Sequence, residues 1–492
     1  MRPSRTLASF AVKGFAFLWR DGKAFNRNVR KDAEKGVIHG ISTGMRTTPL
    51  ILAILVLLYW SCTAAAQSTQ SPAPSPPMGW NSWDSYGTTV REEQVKANAD
   101  AMARDLASHG WQYIIVDIQW YEPNAQGHDY APGAKLAMDE YGRLQPAVNR
   151  FPSSANGRGF KTLADYIHSK GLKFGIHMMR GIPRQAAEQN LPIKGTKYHA
   201  ADIADKENPC RWNPDMWGVD TTKPGAQAYY DSIAELYASW GVDFIKADDM
   251  GSHLYQPAEI KALALAMRKT GRPMVLSISP GPAPISEAEF FAKYAQMWRI
   301  SDDFWDDWKL LKKQFDYTRD WAEYVGKNNT WPDADMLPLG RLRITAKEGG
   351  GSPTKFTADE QQTLMSLWCI FRSPLIFGGD LPSNNPLTIA LITNDEVLAV
   401  DQHSSGNHQS LESDNLRVWI ADLPGGKDHY VAAFNLGDNP ESVDLQWSKI
   451  GINASTAEVR DLWSKTSLGR TNGVQTEIRP HASVLYRVSD LQ

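Results

Sequence analysis

Carboxylates recur in this chain at the ends of short apolar runs: Asp84, Asp117, the pair Asp248 and Asp249, the pair Asp302 and Asp303, Asp333 with Asp335, and Asp380. Carboxylates gathered in one place can do two kinds of chemistry. They can hold a hard divalent cation through oxygen. Alternatively, two of them can share the cleavage of a glycoside, one as nucleophile or base and the other as proton donor. A single Asp at such a position is commonly a helix cap. Several at once, with Trp80, Trp83, Trp120 and Trp298 beside them, argue for a site. Trp offers an apolar face with a polar edge, which suits a sugar ring, although most of the 18 Trp, 17 Tyr and 16 Phe are expected in the core.

Such a set of acids needs a scaffold that brings strand ends together. Strands are expected at 78–84, 112–117, 173–178, 243–248, 274–279, 297–301, 336–340 and 375–380. Helical stretches at 91–109, 160–170 and 226–240 lie between them, each stopped by a glycine (Gly110, Gly171, Gly241). The alternation predicts βα units and a parallel sheet. Eight strands predict a (β/α)8 TIM barrel, whose chemistry sits at the C-terminal ends of the strands. No Gly-x-Gly-x-x-Gly follows the first strand, so a dinucleotide fold is not expected. After about Asp401 the pattern changes to short alternating strands at 416–421, 429–435, 442–446, 457–461, 475–478 and 483–488. These predict a C-terminal antiparallel β-sandwich without catalytic residue clusters, expected as a structural cover on the barrel.

The chain has 52 basic and 55 acidic residues, a net charge of −3, with 22% charged and 42% hydrophobic residues. This excludes a disordered chain, a collagen and a polytopic membrane protein. It also argues against a nucleic-acid partner. Residues 1–66 hold ten Lys or Arg and three acids, and carry the apolar run 49–60 followed by Ala64-Ala65-Ala66. They read as a leader and secretory signal cut after Ala66, with translation starting at Met45. The run is short for a membrane span, and an uncleaved anchor is the alternative reading. The exported protein, periplasmic or extracellular, would then have a net charge of −10 and no membrane contact. Its two remaining cysteines, Cys210 and Cys369, allow at most one bridge. Residues 67–77 read as a flexible Ser/Pro linker, 78–401 as the barrel and 402–492 as the sandwich.

The segment Pro76-Pro77-Met78-Gly79-Trp80-Asn81-Ser82-Trp83 resembles the opening barrel strand of glycoside hydrolase family 27, the α-galactosidase family of clan D. Further segments agree in order: Gly171-Leu172-Lys173-Phe174-Gly175-Ile176, Lys246-Ala247-Asp248, Trp298-Arg299-Ile300-Ser301-Asp302-Asp303 and Asp333-Ala334-Asp335-Met336-Leu337. The stretch 372–381 and Arg460-Asp461-Leu462-Trp463 extend the resemblance over about residues 75–490. It implies a retaining double displacement with Asp248 as nucleophile and Asp303, four residues after Arg299, as acid/base; Asp302 is the rival for that role. The two carboxyls would then lie about 5–5.5 Å apart. Lys246 projects to the same face of its strand as Asp248, would help keep it ionised and is expected to hydrogen-bond a sugar hydroxyl. Trp83 is implied to pack on the apolar face of the sugar, and Asp117 to bind galactose hydroxyls. Arg299 and Asp335 match sugar-site positions, and His177, standing where a Tyr is common, is also expected to contact the sugar. No cofactor and no metal is implied.

The chain also departs from the pattern. Ile118 replaces the second Asp of a pair, which removes an acceptor for an axial hydroxyl or the exocyclic hydroxymethyl. Met250 replaces a Cys, so the family's active-site disulfide is absent. The run Ser277-Ile278-Ser279-Pro280-Gly281 lacks an acidic-Trp signature. The expected activity is exo-hydrolysis of terminal α-D-galactosyl residues from oligo- or polysaccharides. The departures leave β-L-arabinopyranosides, α-N-acetylgalactosaminides and isomaltosyl units open. A metal-dependent barrel hydrolase and a non-catalytic carbohydrate-binding barrel are the other classes, and chelator sensitivity would separate the first. The insertion 179–223, with Arg180, Arg184, His199, Asp202, Asp205, Cys210, Trp212 and Asp220, is expected to overhang the mouth and shape the leaving-group side; no tight ligand spacing supports a metal there. The expected partner is a carbohydrate, and nothing in the sequence sets the oligomeric state.

Overall fold

The computed structural model describes residues 71–252, 255–345 and 350–489. The expected signal, its cleavage point and residues 67–70 lie outside the described residues. Eight parallel strands form one sheet: β1 Met78–Asn81, β2 Tyr113–Val116, β3 Lys173–Met179, β4 Phe244–Asp248, β5 Val275–Ile278, β6 Met297–Arg299, β7 Trp331–Asp333 and β8 Leu375–Phe377. Their order is β7-β6-β5-β4-β3-β2-β1-β8. The two ends meet where Leu337, just past β7, bridges in parallel to Phe377 of β8. Its N–H donates to Ile376 O at 2.8 Å, and Gly378 N–H donates to Leu337 O at 3.0 Å. The ring therefore closes as the expected TIM barrel.

A helix follows each strand: α1 Glu92–Asp105, α2 Lys161–His168, α3 Ala226–Trp240, α4 Pro257–Lys269, α5 Ala288–Tyr294, α6 Trp308–Trp321, α7 Ala358–Phe371 and α8 Pro386–Ile392, with α9 Asp395–His403 leading out. β2 is buried at every position because its strand faces the barrel interior on one side and helices on the other. α1 buries Val95, Ala99 and Met102, one stripe at helical spacing. α3 ends where sequence places its stop: Gly241 takes φ 84° and its N–H caps Tyr237 O and Ala238 O.

Three expected elements are corrected. β1 stops at Asn81 because Trp83–Tyr86 coils into a helical turn. The seventh strand is Trp331–Asp333, not 336–340. Asp335 takes φ 86° and turns the chain out of the sheet, leaving Leu337 as a single bridge. Residues 71–77 are not a flexible linker but pack at the N-terminal end of the barrel. Ala73 is buried and its carbonyl accepts from Trp331 Nε1 at 3.0 Å, while Pro77 O accepts from Leu375 N–H at 2.9 Å. A proline-rich segment loses little backbone freedom on ordering, and its carbonyls remain good acceptors.

The sandwich contains β9 Ser405–Ser413, β10 Leu416–Asp422, β11 Asp428–Asn435, β12 Glu441–Gln446, β13 Ala457–Asp461, β14 Thr466–Thr471, β15 Gly473–Ile478 and β16 Ser483–Ser489. A six-stranded antiparallel sheet runs β9-β10-β11-β16-β13-β14, and β12 pairs with β15. The unexpected strands β9 and β14 are the edges of the larger sheet, polar and without a buried alternating face. Its central strands bury both faces. Val418, Val431 and Val488 face the sandwich interior, while Trp419, Phe434 and Leu485 join the barrel core. Phe315 of α6 meets Phe434 edge-on at 5.0 Å between centroids. The period of two thus places one face of the sheet on the barrel. Cys210 and Cys369 are both buried and unbridged.

Candidate active site

A cavity of about 470 Å³ opens at the C-terminal ends of the barrel strands. Trp83 and Asp84 reach it past β1, Asp117 and Ile118 past β2, Lys246 and Asp248 from β4, Arg299, Asp302 and Asp303 from the end of β6, and Asp335 past β7. Seven of the eight expected site side chains therefore line one cavity. The eighth, His177 of β3, does not line the cavity. It is fully buried behind Asp248, with Nε2 3.1 Å from Asp248 Oδ2. Its expected contact with sugar is replaced by a contact with the expected nucleophile.

Lys246 and Asp248 are two residues apart on β4, so both point inward. Asp248 Oδ2 faces His177, and Oδ1 accepts the N–H of Asp249 at 3.0 Å. Burial alone would raise this carboxyl. The His177 hydrogen bond, the charge facing it there and the Lys246 ammonium outweigh burial and hold it far below the usual carboxylate range. Asp117 is treated similarly: burial is overcome by Lys246, whose Nζ donates to Asp117 Oδ2 at 2.8 Å, and Asn81 Nδ2 donates to the same oxygen at 2.6 Å. Lys246 in turn is pushed up by Asp117 and Asp248 despite its burial. This side of the cavity holds its charges firmly.

The opposite side is different. Arg299 is buried with Nη2 2.6 Å from Asp335 Oδ2 and 3.4 Å from Asp303 Oδ1. Its guanidinium therefore ties the β6 and β7 acids together. Burial pushes Asp335 up, and Asp303 and Asp333 add to the push against the pull of Arg299. Asp303 has a side chain 62% exposed, open to a leaving group and to water. Asp302 turns Oδ1 back onto the N–H of Asp303 at 2.9 Å, a local cap, which favours Asp303 over its rival.

Asp84 belongs to the carboxylates noted at strand ends but was assigned no role there. It is 1% exposed, and its Oδ2 has no hydrogen-bond partner. Burial, then Asp335, drives its carboxyl well above the ordinary carboxylate range. The rim residues Tyr130, Arg211, Trp212 and Trp305 gave no sequence signal as a group. Tyr130 and Trp212 stand 5.2 Å apart between ring centroids, and the insertion carrying Arg211 and Trp212 does reach the mouth. Among the described residues, no three His, Cys, Asp or Glu side chains are grouped to hold a metal ion.

Comparisons with known proteins cover both the barrel and the sandwich. Residues 75–222 and 184–403 match the family model described as alpha galactosidase A, and residues 413–488 match the alpha galactosidase C-terminal beta sandwich domain. The chain is 30% identical to the alpha-galactosidase of Cyamopsis tetragonoloba, covering 84% of this chain and 85% of that one. It is similar to the crystal structure of a GH27 β-L-arabinopyranosidase from Geobacillus stearothermophilus, with a TM-score of 0.83, 51% identity, and coverage of 85% of this chain and 97% of that chain. A variant of the same enzyme in complex with arabinose matches at 50% identity with a TM-score of 0.83, over 86% of this chain and 98% of that one.

Proposed function

The chain belongs to the alpha-galactosidase family of glycoside hydrolases, and from that membership we propose that it is an exported, retaining exo-glycosidase preferring terminal β-L-arabinopyranosyl residues. Ile118 carries the reading. β-L-Arabinopyranosides share the ring stereochemistry of α-D-galactosides and lack the exocyclic hydroxymethyl. A site that favours galactose needs a partner for that hydroxyl, and the wall here offers a buried isoleucine beside Asp117. Leaving a hydroxyl desolvated without a partner costs about 1–3 kcal/mol, roughly 5- to 150-fold in kcat/KM. The similarity to an arabinopyranosidase supports the same preference. α-D-Galactosides, the first expectation from the sequence motifs, become the slower substrates.

The reaction proceeds in two displacements. The Asp248 carboxylate attacks the anomeric carbon while Asp303 gives its proton to the glycosidic oxygen. The bond to that oxygen breaks, the alcohol leaves, and a glycosyl ester forms on Asp248. Asp303, now a carboxylate, takes a proton from water, whose oxygen attacks the anomeric carbon and releases Asp248. His177 and Lys246 keep the nucleophile ionised, and the exposure of Asp303 lets it exchange protons with the leaving group and with water. Trp83 supplies an apolar face for the sugar, with Asp117 and Arg299 as hydroxyl partners.

The substrate reading is tested with p-nitrophenyl β-L-arabinopyranoside, α-D-galactopyranoside, α-N-acetylgalactosaminide and α-glucoside. The arabinopyranoside should give the highest kcat/KM, and a higher value for any of the others overturns the proposal. Export is supported by the basic leader, the short apolar run and the Ala64-Ala65-Ala66 end. N-terminal sequencing of secreted protein should begin at Gln67; a protein retained in the cell with an intact leader refutes it.

A further inference from the structure

The residue after the proposed nucleophile adopts a conformation uncommon outside glycine, although Asp tolerates it better than most side chains. Asp249 has φ 64°, in the left-handed region, where a residue with a Cβ is uncommon. That conformation aims its N–H at Asp248 Oδ1, 3.0 Å away. The turn therefore sets one of the two hydrogen bonds that orient the attacking carboxylate. In the resemblance noted from sequence, the position after this one carries a disulfide cysteine; here it is Met250, and Cys210 and Cys369 are free. No covalent link holds the turn.

A buried ion-pair network holds it instead. Arg180, 1% exposed and the first residue beyond β3, donates its backbone N–H to Asp248 O at 3.0 Å. Its Nε donates to Asp249 Oδ2 at 2.8 Å, and Nη2 lies equally close. Nη1 donates to Glu259 Oε1 of α4 at 2.8 Å, and Nη2 donates to Asn208 O at 3.2 Å. Glu259 Oε2 accepts from Tyr230 OH of α3 at 2.6 Å and from Val219 N–H at 3.2 Å. Gly218 leaves room for the guanidinium, since a Cβ there would sit 2.8 Å from Nη1. The backbone and the fork of one arginine thus grip the nucleophile's carbonyl and the next residue's carboxylate together. Burying these charges gains little stability over apolar packing; what such a pair can fix is geometry.

We propose that Arg180 is a positioning residue for catalysis: by clamping Asp249 in its left-handed turn, it sets the angle of the Asp248 carboxylate. The insertion 179–223, expected only to shape the leaving-group side, would then also serve the nucleophile. The proposal rests on Asp248 being the nucleophile.

Four variants test it: Arg180→Lys, Arg180→Met, Asp249→Asn and the double variant Arg180→Met with Asp249→Gly. Each is assayed for kcat/KM on p-nitrophenyl β-L-arabinopyranoside, for Kd of free L-arabinose by calorimetry, and for thermal midpoint. Misplacing a reacting group by about 1 Å costs about 10²-fold, so Arg180→Met should lose on the order of 10²-fold in kcat/KM. Its Kd should stay within about threefold, because Trp83, Asp117 and Lys246 are untouched. Glycine enters the left-handed region without strain, so the double variant should regain at least tenfold over Arg180→Met. A purely structural role would lower the midpoint and leave kcat/KM of folded protein unchanged, with no gain from glycine; either result overturns the proposal. If Arg180→Met does not fold, Arg180→Lys and Asp249→Asn carry the test, since both should lose kcat/KM at constant Kd. An active Asp248→Ala control refutes the nucleophile assignment itself, whatever the Arg180 variants do.

Discussion

Replacing Ile118 by Asp should reverse the order of substrates. In the wild type the galactosyl hydroxymethyl would meet a side chain that is 2% exposed and cannot hydrogen-bond. The neighbouring Asp117 has little acceptor capacity to spare: Oδ2 takes Asn81 and Lys246, and Oδ1 takes the N–H of Ile118 at 2.8 Å, which leaves one site for a ring hydroxyl and none for the hydroxymethyl. An orphaned hydroxyl costs about 1–3 kcal/mol, and a hydrogen bond to a charged acceptor returns about 1.5–3 kcal/mol. The combined swing is therefore about 2.5–6 kcal/mol, or roughly 10² to 10⁴ in the ratio of kcat/KM for galactoside over arabinopyranoside. The lower end is the better expectation, since a second carboxylate beside Asp117 must also be desolvated. The backbone N–H of residue 118 is retained, so Asp117 keeps that bond. The assay is initial-rate kcat/KM on both p-nitrophenyl glycosides, with Ile118→Asn as the uncharged control expected to shift the ratio less. A ratio moved by less than threefold in an Asp variant that still melts cooperatively would refute the role of this wall.

Further outcomes follow from the same geometry. Asp303→Ala should lose far more rate on an alkyl arabinopyranoside than on a 2,4-dinitrophenyl one, whose leaving group needs no proton; equal losses would remove Asp303 as the acid. His177→Phe takes a donor from ionised Asp248, so the nucleophile's pKa rises and the acidic limb of kcat/KM moves to higher pH; an unmoved limb contradicts the assigned contact. Burial pushes Asp215 up to about 6 from an ordinary 3.8, against the help of Gln119. Its contribution to stability is then complete below about pH 4 and lost as pH rises through 6. Urea unfolding should show wild type losing about 3 kcal/mol relative to Asp215→Asn between pH 4 and pH 8, and parallel pH profiles would refute this. Dialysis against a chelator should leave the rate unchanged, and a loss restored by a divalent cation would reinstate the metal-dependent alternative.

The barrel was legible because its signal is local and repeated. α3 could be read to the residue, since its apolar stripe and Gly241 lie within one stretch of chain. β7 was missed because Trp331-Pro332-Asp333 is three residues long with a proline inside, while Met336–Gly340 looks more strand-like and makes only one bridge. Edge strands β9 and β14 have no buried alternating face to announce them. The site followed a similar division. Residues at strand ends, such as Asp117, Asp248 and Asp335, could be found because the barrel dictates where strand ends converge. Arg180 and Glu259 are 79 residues apart, and no periodicity links them. The place of His177 behind Asp248 depends on the register between β3 and β4, where it stands beside Lys246, which one strand's sequence does not contain.

The carboxylates of the mouth, interchangeable in the sequence, are chemically divided in the fold. On the β2–β4 side, Lys246 and His177 hold Asp117 and Asp248 ionised. On the β1–β7 side, burial raises Asp84, Asp333 and Asp335, neighbouring carboxylates add to the rise of Asp84 and Asp335, and Arg299 pulls Asp333 and Asp335 down. A cation site would want its ligands ionised together around one point. Double displacement wants the opposite: a nucleophile that stays charged, and across from it acids that can carry protons. Asp84, buried with one oxygen unpartnered, is the least exposed carboxyl on that side. Lys246 thus helps turn a ring of like acids into a site with an ionised side, Asp117 and Asp248, and a side whose buried carboxyls Asp84, Asp333 and Asp335 are raised, and the proposed double displacement would draw on that difference by letting Asp248 attack while Asp303, open to water, gives the proton.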